Sequence, residues 1–328
     1  MSESWTTTRV AVVQAAPVIM DREATIDKAV RCLREAAAGG AQLVVFPEAF
    51  VPAYPRGLSF GVVVGSRSDA GRRTWARYLA NAVEIPSPTT DRLGAAAREA
   101  GVHLAIGVIE RDRPGGGTLY CTLLYFGPDG AILGKHRKLK PTAGERLIWG
   151  EGDGSTLPVL DTALGRVGGL ICWENYMPLA RMAMYRKGVE LYLAPTADAR
   201  DGWQATVRHI ALEGRCFVLS CNQYVTKAMY PADLEPEALA DLADAPEELC
   251  RGGSAIVSPL GEYLAGPLHG REGILYADLD SAAIAEGKFD FDVVGHYARN
   301  DIFKFSVDER PQVEESLSHG QRLDGSHV

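Results

Sequence analysis

Short apolar runs rich in β-branched residues alternate with helix-period segments through most of the chain, and this alternation constrains the fold most strongly. Val10–Gln14 is such a run, and the capping residue Asp21 then opens a helical apolar stripe. Leu43–Phe46 is apolar at every position, which indicates a buried strand. Strands that alternate with helices predict a mixed sheet architecture with helical outer layers.

The second half of the chain repeats this pattern. Asn175 is the predicted cap of a helix that has Pro178 in its first turn, and a further helix is predicted over Asp201–Glu213. The other predicted strands are Val102–Ile109, Leu119–Phe126, Ala131–Leu133, Gly165–Cys172, Leu191–Ala194, Cys216–Cys221, Ala255–Ser258, Glu262–Ala265 and Gly273–Asp278.

Two segments interrupt the alternation. Residues 54–73 are rich in Gly, Ser and Arg and are predicted to form a long loop. Residues 229–250 carry seven acidic residues and no Lys or Arg, which predicts a solvated helical insertion, with an assembly surface as the alternative. We therefore expect one domain over residues 1–305 with insertions near 54–73 and 229–250, followed by a disordered tail over 306–328.

Charge and cysteine usage exclude several classes of protein. The 42 Asp and Glu residues exceed the 34 Lys and Arg residues, and the net charge of −8 argues against nucleic acid and anionic membranes as partners. The six cysteines form no CxxC pair, and no His/Cys/Asp cluster has metal-ligand spacing. The sequence has neither a signal-peptide pattern nor an apolar run long enough to span a bilayer, so we expect a cytoplasmic protein with free thiols.

Three reactive side chains follow predicted strands, where ligands collect in α/β sheets. Glu48 ends one apolar run, Lys138 follows the hairpin, and Cys172 ends another run. A thiol at a helix N-terminus is expected to lose its proton more readily. The alternative is that Cys172 is a small core residue, as free cysteines often are.

Each charged candidate could also be a solvent-exposed side chain without a role in catalysis. Glu48 is either a general base or a surface carboxylate at a strand end. Lys138 either stabilises negative charge at an attacked carbon or belongs to a solvated basic run. Glu145 could hold that lysine in place, but alone it would be a surface acid. His209 and His136 are the two candidate partners for a dyad with Cys172.

Three sequence blocks resemble one known family. They are Phe46–Phe50 (FPEAF), His136–Arg146 (HRKLKPTAGER) and Gly169–Pro178 (GLICWENYMP), and they stand in the family's order of Glu, Lys and Cys. The chain resembles the nitrilase branch of the carbon–nitrogen hydrolase superfamily from about Val10 to Ile302.

Two further details resemble nitrilases proper rather than their amidase relatives. One is the Cys-Trp-Glu-Asn continuation at 172–175, and the other is Asp292–Asp301 near the C-terminus. The resemblance implies an α/β fold, a four-layer αββα sandwich that pairs to αββα–αββα across a dimer. It also implies spirals or filaments, for which the acidic insertion and the block around His296 are the candidate surfaces.

The implied activity is hydrolysis of an organic nitrile to the carboxylic acid and ammonia, without a metal or organic cofactor. Cys172 would attack the nitrile carbon and form a thioimidate, then a thioester, with Glu48 as the base. Lys138, helped by the backbone N–H of Trp173, would stabilise the charged intermediates, and Glu145 would orient Lys138. Expulsion of the thiol instead of ammonia would release some amide.

Five residues are candidate pocket walls: Tyr54, Trp173, Pro195, Thr196 and Asp198. An aromatic wall suits an arylaliphatic nitrile or a small substrate in a tight pocket, so the substrate stays open, as do the stereopreference and the number of subunits. The alternative functions are an amidase or carbamoylase of the same superfamily, a non-catalytic filament-forming homologue, and more remotely a thiol protease that pairs Cys172 with His209.

Overall fold

The computed structural model describes residues 7–311, in which the strands and helices form two sheets between two layers of helices. The strands are β1 (Thr7–Gln14), β2 (Leu43–Val45), β3 (Val62–Val63), β4 (Ser66–Arg67), β5 (His103–Arg111), β6 (Leu119–Phe126), β7 (Ile132–Arg137), β8 (Val159–Thr162), β9 (Gly165–Gly169), β10 (Leu191–Pro195), β11 (Phe217–Cys221), β12 (Tyr224–Thr226), β13 (Glu248–Val257), β14 (Tyr263–His269) and β15 (Gly273–Asp280). The helices are α1 (Arg22–Ala38), α2 (Asp69–Ala80), α3 (Pro88–Ala100), α4 (Pro178–Arg186), α5 (Asp201–Gly214), α6 (Pro236–Ala243) and α7 (Ala282–Gly287).

Each sheet combines parallel and antiparallel strands. The first has six strands in the order β15-β1-β2-β5-β6-β7, with β1, β2 and β5 parallel. The second has seven strands in the order β12-β13-β11-β10-β9-β8, with β14 paired to β13. Strands β9, β10 and β11 are parallel to one another. The carboxyl ends of β2, β9 and β10 are therefore free to position side chains beyond the sheets.

Alternating side chains on the strands build the layers. Val10 and Val12 of β1 belong to the apolar cluster between the two sheets, whereas Ala11 and Val13 pack with Ile26 of α1 on the outer face. This alternation follows from the period of two along a strand. The first sheet therefore lies between α1 and α3 on one side and the second sheet on the other.

The second sheet has the mirror arrangement. Leu193 of β10 points into the cluster between the sheets, and Tyr192 packs with Met184 of α4 and Ile210 of α5. The order of layers is helix, sheet, sheet, helix, which confirms the αββα sandwich expected from the sequence.

Two local expectations were wrong. The loop predicted over 54–73 ends at Ser68, whose side chain accepts a hydrogen bond from the Gly71 N–H and caps α2. Asn175 caps no helix, because α4 begins at Pro178 after Met177. Asn175 is instead fully buried, and its amide nitrogen donates to the carbonyls of residues 170 and 172, each at 2.9 Å.

The acidic insertion packs against the segment that contains α2. Its helix α6 buries two apolar side chains, and its carboxylates pair with basic residues of α2. The pairs are Arg73–Glu235 and Arg77–Asp233, each at 2.9 Å. The two segments that interrupt the α/β alternation therefore form one structural unit over the site described below.

The chain beyond α7 lies along the second sheet's side of the molecule. Val307 packs against the outer cluster of that sheet, and Glu309 pairs with Lys187 at 2.7 Å. The remainder of the segment predicted to be disordered, 312–328, lies outside the described residues.

Candidate active site

Glu48 follows β2 and is completely buried. The chain around it passes so close to Gly107 of β5 that a Cβ there would lie 2.2 Å from the Pro47 carbonyl oxygen and 2.8 Å from the Glu48 Cα. Gln223 fixes the same turn from the other sheet, since its side-chain amide donates to the Glu48 carbonyl at 2.9 Å. Glycine at position 107 thus lets the two sheets hold the Glu48 turn between them.

Lys138 follows β7 and is also completely buried. Its Nζ donates to Glu48 Oε1 at 2.6 Å and to Glu145 Oε2 at 2.7 Å. Burial alone would lower the pKa of Lys138, but the neighbouring carboxylates, Glu48 foremost, raise it well above its usual value. The side chain is therefore an ammonium ion held between two carboxyl groups.

Glu145 completes this set from the short 3₁₀ turn Ala143–Leu147. One carboxylate oxygen accepts from the Thr142 N–H at 2.6 Å as well as from Lys138. The other accepts from the Tyr54 hydroxyl at 2.7 Å. Glu145 thereby connects the candidate pocket residue Tyr54 to the buried ammonium.

The ionisation of Glu48 reflects its burial. Burial raises its pKa, the charge of Lys138 lowers it and the charge of Glu145 raises it, and the balance lies above the usual value. Within residues 7–311, Glu48 Oε2 has no hydrogen-bond partner. A buried carboxylate oxygen without a partner is suited to accept a proton from a reacting group.

Cys172 begins a five-residue 3₁₀ turn after β9 and has a left-handed backbone, with φ of 53°. Such a conformation at a non-glycine residue is strained, and strained residues often mark functional sites. The thiol sulfur lies 3.2 Å from the Thr196 hydroxyl oxygen. The charges of Glu48 and Lys138 both act on it, so it lies beside that pair.

The expectation that Cys172 loses its proton readily was wrong. Burial, and then the charge of Glu48, raise its pKa to about 12. The dipole of one 3₁₀ turn does not offset the loss of solvent around a buried sulfur. The resting residue is a neutral thiol, and it needs a base to become a nucleophile.

An open cavity of about 400 Å³ gives access to Cys172. Tyr54, Trp173 and Asp198 line it, as expected. Trp173 Nε1 donates to Asp198 Oδ2 at 2.9 Å. Of the remaining two candidates, Thr196 lies against the sulfur and Pro195 is buried as the last residue of β10.

Several cavity residues escaped the sequence reasoning. Arg56 donates to the Ala197 carbonyl and lies over the Tyr54 ring, 5.2 Å from its centroid. Arg200 pairs with Asp198 at 2.6 Å; burial alone would raise the pKa of Asp198, but the Arg200 hydrogen bonds lower it. The other additional lining residues are Thr142, Ala197, Ala199, Glu248, Leu249 and Arg251, and Glu145, which the sequence did indicate, lines the cavity as well.

The two histidines proposed as dyad partners are engaged elsewhere. His209 is exposed on α5, and its ring faces Glu213 at 3.7 Å. His136 is completely buried between Glu174 at 2.9 Å and the Thr156 carbonyl at 2.6 Å. The charged groups that act most strongly on the Cys172 thiol are those of Glu48 and Lys138.

The described part of the chain contains no group of His, Cys, Asp and Glu arranged to hold a metal ion. None of its helices combines the length and apolar character needed to cross a membrane. All six cysteines are free thiols.

The fold is an αββα sandwich, and the site is a buried thiol beside an ammonium group held between two carboxyl groups. Together they define the class of protein. The family model "Carbon-nitrogen hydrolase" matches residues 9–289. The chain belongs to the carbon–nitrogen hydrolase family.

Curated relatives show which members of the family the chain is similar to. An aliphatic nitrilase of Sinorhizobium fredii is 58% identical over 304 residues, covering 93% of this chain and 96% of that protein. A bifunctional nitrilase/nitrile hydratase of Nicotiana tabacum is 54% identical over 316 residues, covering 93% and 87%. The resemblance to bacterial and plant nitrilases is thereby confirmed.

A solved structure supports the fold independently. The carbon–nitrogen hydrolase of Helicobacter pylori G27 superposes with a TM-score of 0.71 over 91% of this chain and 97% of that one, at 22% sequence identity.

Proposed function

We propose that this protein is a nitrilase that converts an organic nitrile to the carboxylic acid and ammonia, with release of some amide. The observation that carries the proposal is the buried Cys172 thiol beside the Glu48–Lys138 pair, at the base of a cavity of about 400 Å³. The names of the relatives, an aliphatic nitrilase and a bifunctional nitrilase/nitrile hydratase, support the same reaction.

The first half of the reaction is attack on the nitrile carbon. Glu48 accepts the proton of the Cys172 thiol as the sulfur attacks, because a thiol with a pKa of about 12 is otherwise neutral. The proton passes to the nitrile nitrogen, and the product is a covalent thioimidate. The unpartnered oxygen of Glu48 is the proton acceptor in this step.

The second half is hydrolysis of that intermediate. Glu48 activates a water that adds to the thioimidate, and loss of ammonia from the tetrahedral intermediate leaves a thioester, which a second water hydrolyses. The Lys138 ammonium, helped by the Trp173 backbone N–H, stabilises negative charge on the intermediates. Glu145 holds Lys138 in position through a hydrogen bond of 2.7 Å, and the Tyr54 hydroxyl donates to Glu145, also at 2.7 Å. The mechanism uses no metal or organic cofactor.

The cavity favours a small aliphatic nitrile with a polar substituent. Charged side chains contribute much of its lining, including Arg56, Arg200, Arg251 and Glu248. Trp173 supplies an aromatic surface, but its ring nitrogen is directed to Asp198. A bulky arylaliphatic nitrile would bury more charged surface without compensating hydrogen bonds, which is unfavourable.

The proposal is tested by ammonia and acid release from a panel of nitriles with the matching amides. We expect turnover of β-cyanoalanine and a short dinitrile to exceed that of phenylacetonitrile and mandelonitrile. Turnover of amides but of no nitrile would replace the proposal with an amidase. Conversion of neither class would favour the non-catalytic homologue.

We further propose that the protein self-associates in the reducing cytoplasm. The six free thiols are compatible with that compartment. Apolar side chains are exposed at the start of α4 and from the block around His296 to Phe303, which supports self-association through these surfaces. They are Met177, Leu179, Tyr297, Ile302 and Phe303. Light scattering should give a mass of at least two chains, and a monomer at micromolar concentration would contradict this.

A further inference from the structure

Thr196 places a hydroxyl group directly on the candidate nucleophile. The residue is completely buried just after β10, and its Oγ1 donates to Cys172 Sγ at 3.2 Å. The Asp198 N–H donates to the same oxygen at 2.9 Å. Oγ1 thus accepts from the Asp198 N–H while its own hydrogen donates to the sulfur.

The backbone holds this donor rigidly. The Thr196 N–H donates to the Cys221 carbonyl at 2.8 Å, which extends the pairing of β10 with β11 by one residue. A donor fixed on a strand end in a buried site stabilises developing charge without reorganising. The Thr196 hydroxyl and the Ala197 backbone N–H both hydrogen-bond to the sulfur, whereas Lys138 donates to Glu48.

We propose that Thr196 is a catalytic residue that sets the division of product between acid and amide. The hydroxyl stabilises negative charge on Cys172 Sγ and so favours breakage of the C–S bond, which releases amide. This inference rests on the proposed nitrilase function and assigns Thr196 a role beyond that of a pocket wall.

The two branches start from one tetrahedral carbon that carries the substrate group, the Cys172 sulfur, a hydroxyl and an amino group. In the acid branch the C–N bond breaks, its electron pair goes to nitrogen, and the hydroxyl proton follows by way of Glu48, giving a thioester and ammonia. In the amide branch the C–S bond breaks, its electron pair goes to sulfur, and the same proton regenerates the thiol. The branches therefore differ in whether nitrogen or sulfur takes the electron pair and the proton. Thr196 contacts the sulfur.

The test is the amide-to-acid ratio of the Thr196→Val enzyme, measured by liquid chromatography at equal conversion of the nitrile that gives wild type the most amide. Valine has the shape of threonine and lacks the donor. We expect the ratio to fall on the order of tenfold, the effect of one hydrogen bond to a charged group. The ratio arises after attack is complete, so changes in binding or in nucleophile activation do not alter it.

Three variants serve as controls. Thr196→Ser keeps the hydroxyl and should retain the wild-type ratio. Thr196→Ala is a second variant without the donor, available if the valine enzyme does not fold, and it should show the same low ratio. Thr206→Val removes a threonine hydroxyl on α5 that donates to the Gly202 carbonyl and does not line the cavity, so it should leave the ratio as it is.

The outcomes separate this inference from the function on which it rests. An unchanged ratio in an active valine or alanine variant would overturn the role of Thr196, as would a wild-type enzyme that converts nitriles and releases no amide. A wild type that converts no nitrile would overturn the nitrilase proposal itself, and total ammonia plus amide reports this before any ratio is taken.

Discussion

Glu48→Gln lowers kcat/KM for the nitrile by about 10²–10⁴-fold, the usual contribution of a positioned general base. The thiol of Cys172 has a pKa of about 12 and stays neutral at working pH unless a base takes its proton. Both candidate histidines are held by other residues, so no imidazole replaces the carboxylate. Glutamine keeps the size of the side chain and one acceptor for Lys138, so the loss reports the missing base. The measurement is steady-state turnover of the variant beside wild type.

The pH profile gives this prediction a second readout. Burial raises the pKa of Glu48, so the carboxyl takes up its proton at a higher pH than an exposed glutamate does. A protonated Glu48 cannot accept the thiol proton, and wild-type activity therefore falls on the acid side above the usual glutamate range. In Glu48→Gln this acid limb should disappear.

Glu247→Gln is the matched control, since it removes an exposed carboxylate on the insertion surface and should leave turnover unchanged. A Glu48→Gln enzyme that keeps its turnover within a few-fold of wild type would show that another group accepts the proton.

Lys138→Met strongly lowers turnover and also destabilises the fold. The ammonium lies 2.6 Å from Glu48 and 2.7 Å from Glu145, and its removal leaves two buried carboxylates facing each other. Breaking a buried ion pair in this way costs roughly 3–5 kcal/mol of the free energy of unfolding. The loss of charge stabilisation at the intermediates costs a further factor of about 10²–10³ in kcat. Urea unfolding and turnover measure the two effects.

A double variant separates stability from chemistry. Lys138→Met combined with Glu145→Gln removes one of the two facing charges and should recover part of the lost stability. It should recover no turnover, because the ammonium is still absent. Recovery of both would mean that Lys138 acts through folding alone, and a single variant as stable as wild type would contradict the buried ammonium.

The three central site residues could be predicted because each follows a predicted strand. Glu48 and Cys172 follow apolar runs that the alternation of strands and helices identifies as strands. Lys138 follows a hairpin that its turn residues indicate. Strand ends collect at common edges, which favours their proximity, and the resemblance of the motif blocks assigned them to one site. The αββα order of layers came from the resemblance of the motif blocks rather than from the pattern itself.

The mouth of the cavity could not be predicted, because it depends on tertiary packing of irregular segments. Arg56 and Glu248 belong to the two interrupting segments and meet there only because the segments of α2 and α6 pair through contacts such as Arg73–Glu235. The neutral state of the Cys172 thiol was missed for a related reason: a sequence shows the turn after the strand but not the burial of the sulfur. Asn175 was assigned to a cap because its burial under the same turn is equally invisible.

The most direct test of the account is covalent trapping on Cys172. Acid quench of the wild-type enzyme during turnover of a nitrile, followed by intact-mass and peptide mass spectrometry, should reveal the nitrile or its acyl group attached to the peptide that contains Cys172. The Cys172→Ala enzyme should carry no adduct and release no ammonia. An adduct on another residue, or ammonia release that survives in Cys172→Ala, would contradict the assignment of the nucleophile.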